Sequence, residues 1–413
     1  MSERIKTPRG TFDVLGEAAL AREQLERTAQ GILERAGYAR IETPTFESTV
    51  LFARGVGEST DVVQKQMYTF EGGESESITL RPEGTAPVCR AYVEHGMHKL
   101  PQPVKLWYLG SFFRRERPQK GRFRQFWQLG LEAIGSDDPA VDAESILLLA
   151  EILEAIAVRS RLRISSLGMP ANRLRYRERL QQYLRANADR LSEEVVARID
   201  LNPLRAFDSD HRGTQEMMEG APRLLDELDP EDAEHFAQVR ALLDSAGLPY
   251  EVDTTLVRGL DYYTRTVFEF TSDDLGAQSG VGGGGRYDGL IEELGGPPTA
   301  GIGWAAGVER MLLAGSVAQQ APPPVDLFVA YAQPGLREAA FRLAADARRA
   351  GHAARLELAG RSLKGQLTQA NRAGARYVAI LREDGTSLRD METGEQQEVD
   401  ADTIIHHIAR VPL

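Results

Sequence analysis

Residues 318 to 324 read Ala-Gln-Gln-Ala-Pro-Pro-Pro, and no other run limits the folding of this chain so strongly. Three successive prolines offer no backbone donors and fix φ, so they fit neither a helix interior nor a central strand. The run is therefore a linker, and the residues on its two sides obey different grammars. C-terminal to it, Asp326 to Ala332, Ala354 to Leu358 and Tyr377 to Leu381 are apolar strand-like segments alternating with helical patterns at Leu336 to Ala350 and Ser362 to Arg372. This βαβαβ order predicts a small parallel-sheet α/β domain over residues 325–413, with a tail helix that turns Ile404, Ile405 and Ile408 to one face.

N-terminal to the linker, short strands and helices alternate less regularly. Glu17 to Ala36 carries Leu20, Leu25, Ala29, Ile32 and Leu33 at close to helical spacing and ends at Gly37. Tyr38 to Glu42 predicts a strand stopped near Pro44, Met67 to Phe70 and Ser77 to Leu80 a hairpin, and Lys105 to Leu109 and Gln125 to Ile134 two strands around a basic loop. Antiparallel pairs punctuated by helices predict an α+β domain with a mixed, mainly antiparallel sheet over residues 1–170 and 244–317. Residues 171–243, rich in Arg, Glu, Leu and Ala, predict a helical insertion that interrupts it.

At 413 residues the chain exceeds one comfortable core, since a domain averages about 150 residues. A net charge of -12 argues against holding nucleic acid by bulk electrostatics and leaves local basic patches possible. The single cysteine, Cys89, excludes an intrachain disulfide or a cysteine-based zinc site and predicts a buried thiol. The seven histidines lack metal-ligand spacing, so no metal ligands are assigned. The charged N-terminus has no apolar core, and no run reaches the roughly 18 apolar residues of a membrane span, so a cytoplasmic protein with no membrane partner is expected.

Three stretches carry chemistry. Within the stretch Phe112 to Glu132, the loop between two strands gathers Arg114, Arg115, Arg117, Lys120, Arg122 and Arg124 against Glu116 alone. Guanidinium forks suit phosphate oxygens, with Phe123 and Phe126 as stacking faces; a solvated basic loop is the competing reading. The returning strand places Gln128, Gly130 and Glu132 on one face, which fits a small polar ligand or a solvent-facing surface. Leu256 to Phe270 runs Leu-Val-Arg-Gly-Leu-Asp-Tyr-Tyr-Thr-Arg-Thr-Val-Phe-Glu-Phe, so Arg258, Asp261 and two tyrosines lead into an apolar strand, either a charged strand edge or part of a site.

Phe113-Arg-Arg-Glu116 leading to Gln128-Leu-Gly-Leu-Glu132 resembles motif two of the class II aminoacyl-tRNA synthetases. Gly301-Ile-Gly-Trp-Ala-Ala-Gly-Val-Glu-Arg310 resembles motif three, and the strand ending at Pro44 resembles motif one. Thr79-Leu-Arg-Pro-Glu-Gly-Thr85 is shared within a subgroup, and the stretch around Arg258 and Gly284-Gly-Arg-Tyr-Asp-Gly-Leu290 resemble the two signatures of the histidyl-tRNA synthetase family. The resemblance covers essentially the whole chain. The run Gly282 to Gly285 is looser than the family signature.

This resemblance implies ATP-dependent activation of L-histidine and its transfer to a cognate tRNA by a homodimer, with Mg2+ neutralising pyrophosphate. Matching positions imply Arg258, Arg114 and Arg310 as catalytic cations: Arg114 and Arg310 on ATP phosphate, Arg258 on the α-phosphate and the histidine carboxylate. Glu116, Arg122 and Phe126 would place the rest of ATP. Glu83, Gly84, Thr85 and Gln128, with Arg114, would surround the histidine backbone, and Glu132, Tyr262 and Tyr263 its ring. The C-terminal domain would bind the anticodon, with Arg361, Lys364 and Arg372 either on phosphate or on a solvated helix face. A non-catalytic synthetase-like regulatory subunit of histidine biosynthesis is the alternative. Such paralogues tend to lose the ATP-gripping arginines and the anticodon domain, and both are present here.

Overall fold

The computed structural model describes residues 4–57, 60–72, 76–119, 121–201, 203–256, 260–276, 279–316 and 325–409. It forms two compact units that divide at residue 318, so the proline run marks the division while lying outside the described residues.

The larger unit opens with α1 (Glu17–Arg35), whose Leu25, Ala29, Ile32 and Leu33 form a buried stripe, and Gly37 follows with φ +84. Then come β1 (Ala39–Arg40), β2 (Phe46–Ser48), α2 (Thr49–Val56), β3 (Tyr68–Glu71), β4 (Ser77–Leu80) and α3 (Thr85–Glu94). The long hairpin β5 (Val104–Phe113) and β6 (Gln125–Ile134) precedes α4 (Pro139–Ala155) and β7 (Arg161–Ser166). Four helices follow, α5 (Pro170–Ala186), α6 (Glu193–Val196), α7 (Arg212–Met218) and α8 (Pro230–Ser245). The unit closes with β8 (Glu251–Val252), β9 (Thr264–Thr271), β10 (Gly280–Arg286), α9 (Leu290–Glu293), β11 (Gly301–Gly307) and α10 (Val308–Ala314).

Eight strands make one sheet in the order β1-β5-β6-β11-β10-β9-β7-β8, parallel only at its two outer pairs and antiparallel between them. β2, β4 and β3 form a separate antiparallel sheet. Period two divides the large sheet cleanly. Trp107, Leu109, Leu129, Leu131, Phe268 and Phe270 face a core shared with α1, α4 and α8. Tyr108, Val267, Tyr287 and Leu290 lie in a second core on the opposite face, with Val88 and Cys89 of α3. The four glycines at 282–285 lie within the central strand β10. A Cβ at Gly282 or Gly285 would fall 2.6 Å from Ala306 Cβ or the Thr266 carbonyl oxygen, so close strand packing needs glycine there.

Within the predicted insertion, Tyr176, Leu180, Leu184, Leu191, Met218 and Leu224 gather in a small core of their own. Phe236, Val239 and Leu243 of α8 instead join the core beneath the large sheet.

The second unit comprises β12 (Val325–Tyr331), α11 (Arg337–Arg349), β13 (Ala354–Leu356), α12 (Leu363–Arg372), β14 (Ala375–Arg382), β15 (Gly385–Asp390), β16 (Gln396–Val399) and α13 (Ile404–Ala409). The βαβαβ core is present, but the sheet is mixed, in the order β13-β12-β14-β15-β16. The two added strands run antiparallel because Arg382 pairs with Gly385 across a two-residue turn. The tail helix α13 buries Ile404 and Ile408 in this unit's core.

Candidate active site

Glu132 of β6 is wholly buried on the face away from α1 and α4. Its Oε1 accepts hydrogen bonds from Thr85 Oγ1 at 2.8 Å and Tyr108 OH at 3.4 Å, and its Oε2 from Tyr287 OH at 2.6 Å. Burial pushes its carboxyl up to about 8, the donors from Tyr287 and Thr85 working against that and the nearby Glu83 adding to it. Space for this cluster comes from glycines: a Cβ at Gly84 or Gly130 would overlap the Tyr108 ring, and one at Gly303 would overlap the Glu132 carboxylate.

Two tyrosines from the β9 entry complete the pocket. The Tyr262 and Tyr263 rings lie 4.7 Å apart, and Tyr262 meets Tyr287 edge-on at 5.9 Å. Burial pushes the hydroxyls of Tyr108, Tyr262 and Tyr287 well above the ordinary tyrosine value. A register shift opposite Arg286 and a left-handed Arg265, φ +40, bend β9 just after these tyrosines. Arg265 is held there by Asp232 of α8 at 2.8 Å. Arg286, beside Tyr287, is fixed by Asp142 at 2.8 Å and Asp288 at 3.0 Å.

At the start of α3, Glu83 accepts the backbone N–H groups of Thr85 at 2.8 Å and Ala86 at 3.0 Å. Burial raises its pKa against those bonds and the charge of Arg114. Gln128 stands two residues before Gly130 on the same face, and its buried Oε1 has no hydrogen-bond partner among the described residues.

Beyond Gln128 the surface opens into a cleft of about 360 Å³ lined by Arg114, Glu116, Arg122, Phe126, Glu269 and Arg310. Arg114 donates from Nε to the Pro82 carbonyl at 2.9 Å, and its guanidinium carbon lies 5.3 Å from the Phe126 ring centroid. Glu116 sits 3.8 Å from Arg114 and 3.6 Å from Arg122, too far for well-made hydrogen bonds. Burial lowers the pKa of Arg114 and of Arg310, and Arg122 adds like-charge pressure on Arg310. A larger cavity, about 750 Å³, lies on the helix-covered face at the end of α4. Its arginines are already in ion pairs, Arg159 with Asp274 at 2.8 Å and Arg161 with Asp273 at 2.6 Å, and it touches none of these residues.

The fold thus gathers Glu83, Gly84, Thr85, Glu132, Tyr262 and Tyr263 in one buried cluster, and Arg114, Glu116, Arg122, Phe126, Gln128 and Arg310 around one cleft. Arg258 and Lys120 lie outside the described residues. Phe123 lines the cleft, but its ring packs on Phe12 at 4.5 Å. Sequence reasoning missed Tyr108, Tyr287 and Glu309. Tyr287 stands in the Gly284–Leu290 motif, and Tyr108 betrays itself only in register, directly opposite Gly130. Among the described residues no group of three or more His, Cys, Asp or Glu is placed to hold a metal ion.

The model of the histidyl-tRNA synthetase family matches residues 10–311. A histidine–tRNA ligase of Desulforamulus reducens is 48% identical over 402 residues, 95% of this chain and 96% of that protein. The crystal structure of apo histidyl-tRNA synthetase from S. aureus superposes with a TM-score of 0.81 at 35% identity, over 98% of this chain and all of that one. A Bacillus halodurans protein described as an ATP phosphoribosyltransferase regulatory subunit/histidyl-tRNA synthetase shares the fold with a TM-score of 0.67 at 21% identity, covering 92% of this chain. With its motifs, its fold and relatives matched over nearly their full length, the chain belongs to the histidyl-tRNA synthetase family.

Proposed function

We propose that this chain activates L-histidine with ATP, giving histidyl-adenylate and pyrophosphate, and then transfers histidine to the 3′ end of its cognate tRNA. The observation that carries this is a buried, tyrosine-ringed carboxylate, Glu132, on the same sheet face as an arginine-lined cleft. A neutral imidazole offers one N–H donor and one acceptor, and Glu132 with the tyrosines Tyr262 and Tyr263 supplies the complement. Side chains without those ring nitrogens would leave the pocket's own polar groups unpaired, which is how such a site rejects them. The α-ammonium group would sit with Glu83, Thr85 and the open carboxamide oxygen of Gln128. Gly84, at the turn into α3, leaves room for the Tyr108 ring beside them.

In the activation step the histidine carboxylate attacks the α-phosphorus in line, a P–O bond forms and the bond to pyrophosphate breaks. Negative charge grows on phosphate oxygens, so fixed cations aimed at them lower the barrier. Arg114 and Arg310 from the cleft, together with Arg258, fill that role, while Glu116 and Arg122 place the adenine and γ-phosphate and Phe126 stacks on the base. Glu116 and Glu269 line the cleft and would hold Mg2+ there, a small donor set that suits an ion sharing its ligands with pyrophosphate and water. When bound, that ion supplies neutralising charge to the leaving group.

The protein works as a homodimer through the motif-one segment, and the second unit, which is not basic overall, reads the anticodon by base contacts rather than by a charged groove. The regulatory-subunit reading has less support, because the arginines it would dispense with line the cleft. Histidine-dependent ATP–pyrophosphate exchange with Mg2+, run across all amino acids, tests the function. Exchange with histidine alone is expected, and none with histidine would overturn the reading.

A further inference from the structure

Arg22 lies on α1, remote in sequence from every residue assigned above. Its Nη2 donates to Glu309 Oε1 at 2.7 Å, in an ion pair whose side chains keep only 16% and 10% of their surface exposed. The guanidinium carbon lies 4.8 Å from the Trp127 ring centroid. Glu309 also accepts the Trp127 backbone N–H, at 3.0 Å to Oε2 and 3.2 Å to Oε1. β6 and β11 pair as far as Gln128 and Gly307, so this carboxylate continues the ladder one residue past the point where β11 turns into α10. Trp127 stands between Phe126 and Gln128, and Glu309 precedes Arg310, all of which line the cleft except Trp127 itself.

One carboxylate therefore clamps the two walls of the cleft together, and one cation from a third element neutralises it. A buried carboxylate stripped of its partner is costly, and it recovers by taking a proton or by turning to another cation. Arg310 is the next residue in the chain. We propose that Arg22 is a positioning residue for ATP: it holds Glu309 on the Trp127 backbone, so that the start of α10 stays docked on β6 and carries Arg310 at a fixed place in the cleft wall. This rests on the reading of the cleft as the ATP site.

The test is histidine-dependent ATP–pyrophosphate exchange by the full chain, with KM measured for ATP and for histidine in wild type, R22A, R22K, E309Q and R22A/E309Q. Losing one buried charge partner is expected to raise the KM for ATP about tenfold in R22A, with the KM for histidine unchanged. R22K should recover most of the loss, and R22A/E309Q should be no worse than E309Q, as for two residues acting through one contact. An unchanged ATP KM, equal rises in both KM values, or additive losses in the double variant would overturn the proposal. So would a lowered melting temperature in R22A and R22K with ATP KM intact, which marks a structural brace. If wild type itself fails to exchange with histidine, the functional reading has failed; if it exchanges and R22A behaves like it, only the role of Arg22 has.

Discussion

The Glu132 pocket and the arginine cleft share a sheet face but are built on opposite terms. In the pocket each carboxylate oxygen already has a hydroxyl donor, the closest at 2.6 Å, and the residue is wholly buried. In the cleft Glu116 stands 3.6 and 3.8 Å from its two arginines, and 43% of the Arg122 side chain is exposed. A satisfied, buried polar cluster is rigid and penalises any ligand that cannot match it. Loosely paired cations give little to the resting fold and remain available for charge that appears only during reaction. On the proposed reading, choosing the amino acid and stabilising the transition state thus ask for different degrees of completion.

The sharpest way to break this contrast is Glu132→Gln. The amide turns one acceptor oxygen into an NH2 donor that faces a hydroxyl now donating to Glu132 and removes the negative charge offered to the imidazole, so kcat/KM for histidine should fall about 10³-fold. The KM for ATP should stay within about threefold, because the cleft keeps every cation. Steady-state exchange kinetics check both, and a matching loss in the two KM values would mean the regions are not separable.

Cation removal should cost less. Arg114→Ala and Arg258→Ala are each expected to lower the adenylation rate about 10²-fold, the usual effect of deleting one charge contact to a developing oxyanion. Single-turnover adenylation measures this, and filter binding of tRNA by the Arg258 variant should remain close to wild type. If adenylation and tRNA binding fall together, Arg258 holds the fold instead.

The resting protein offers a third contrast. Glu132 is held up at about 8, above its unfolded value near 4.5, so it favours the protonated fold. Its contribution to stability is complete below the unfolded pKa and is lost as pH rises through about 8. Replacing it with neutral Gln removes that loss, with a ceiling of about 5 kcal/mol at high pH from the size of the shift. Urea unfolding without ligands should therefore show E132Q gaining stability over wild type between pH 5 and 9, and a constant difference would contradict the raised carboxyl.

The same contrast explains what the sequence discloses. The cleft was legible because cations crowded on one hairpin are a local signal, and strand periodicity alone separates Gln128, Gly130 and Glu132 from Leu129 and Leu131. The pocket was half legible: Tyr108 reaches Glu132 from the neighbouring strand, and only register reveals that Gly130 makes room for it. Arg22 was invisible, its partner lying 287 residues away. In the second unit the parallel core followed from alternating patterns. The two added strands escaped because β16, Gln396 to Val399, is exposed and polar along most of its length, and β15 carries only Leu388 as an apolar residue.

Salt gives the mildest separation. Charges that remain partly in water feel added ions within about 8 Å at physiological ionic strength, whereas a wholly buried group is screened far less. Raising KCl from about 50 to 300 mM at saturating Mg2+ should lift the KM for ATP about threefold, as potassium and chloride compete for the cleft. The KM for histidine should move much less, since on the proposed reading it would depend on Glu132, which is buried with Tyr108, Tyr262 and Tyr287. Parallel titrations of the two KM values decide it: equal slopes would show that solvent reaches the pocket as freely as the cleft, and the difference in completion would then have no electrostatic consequence.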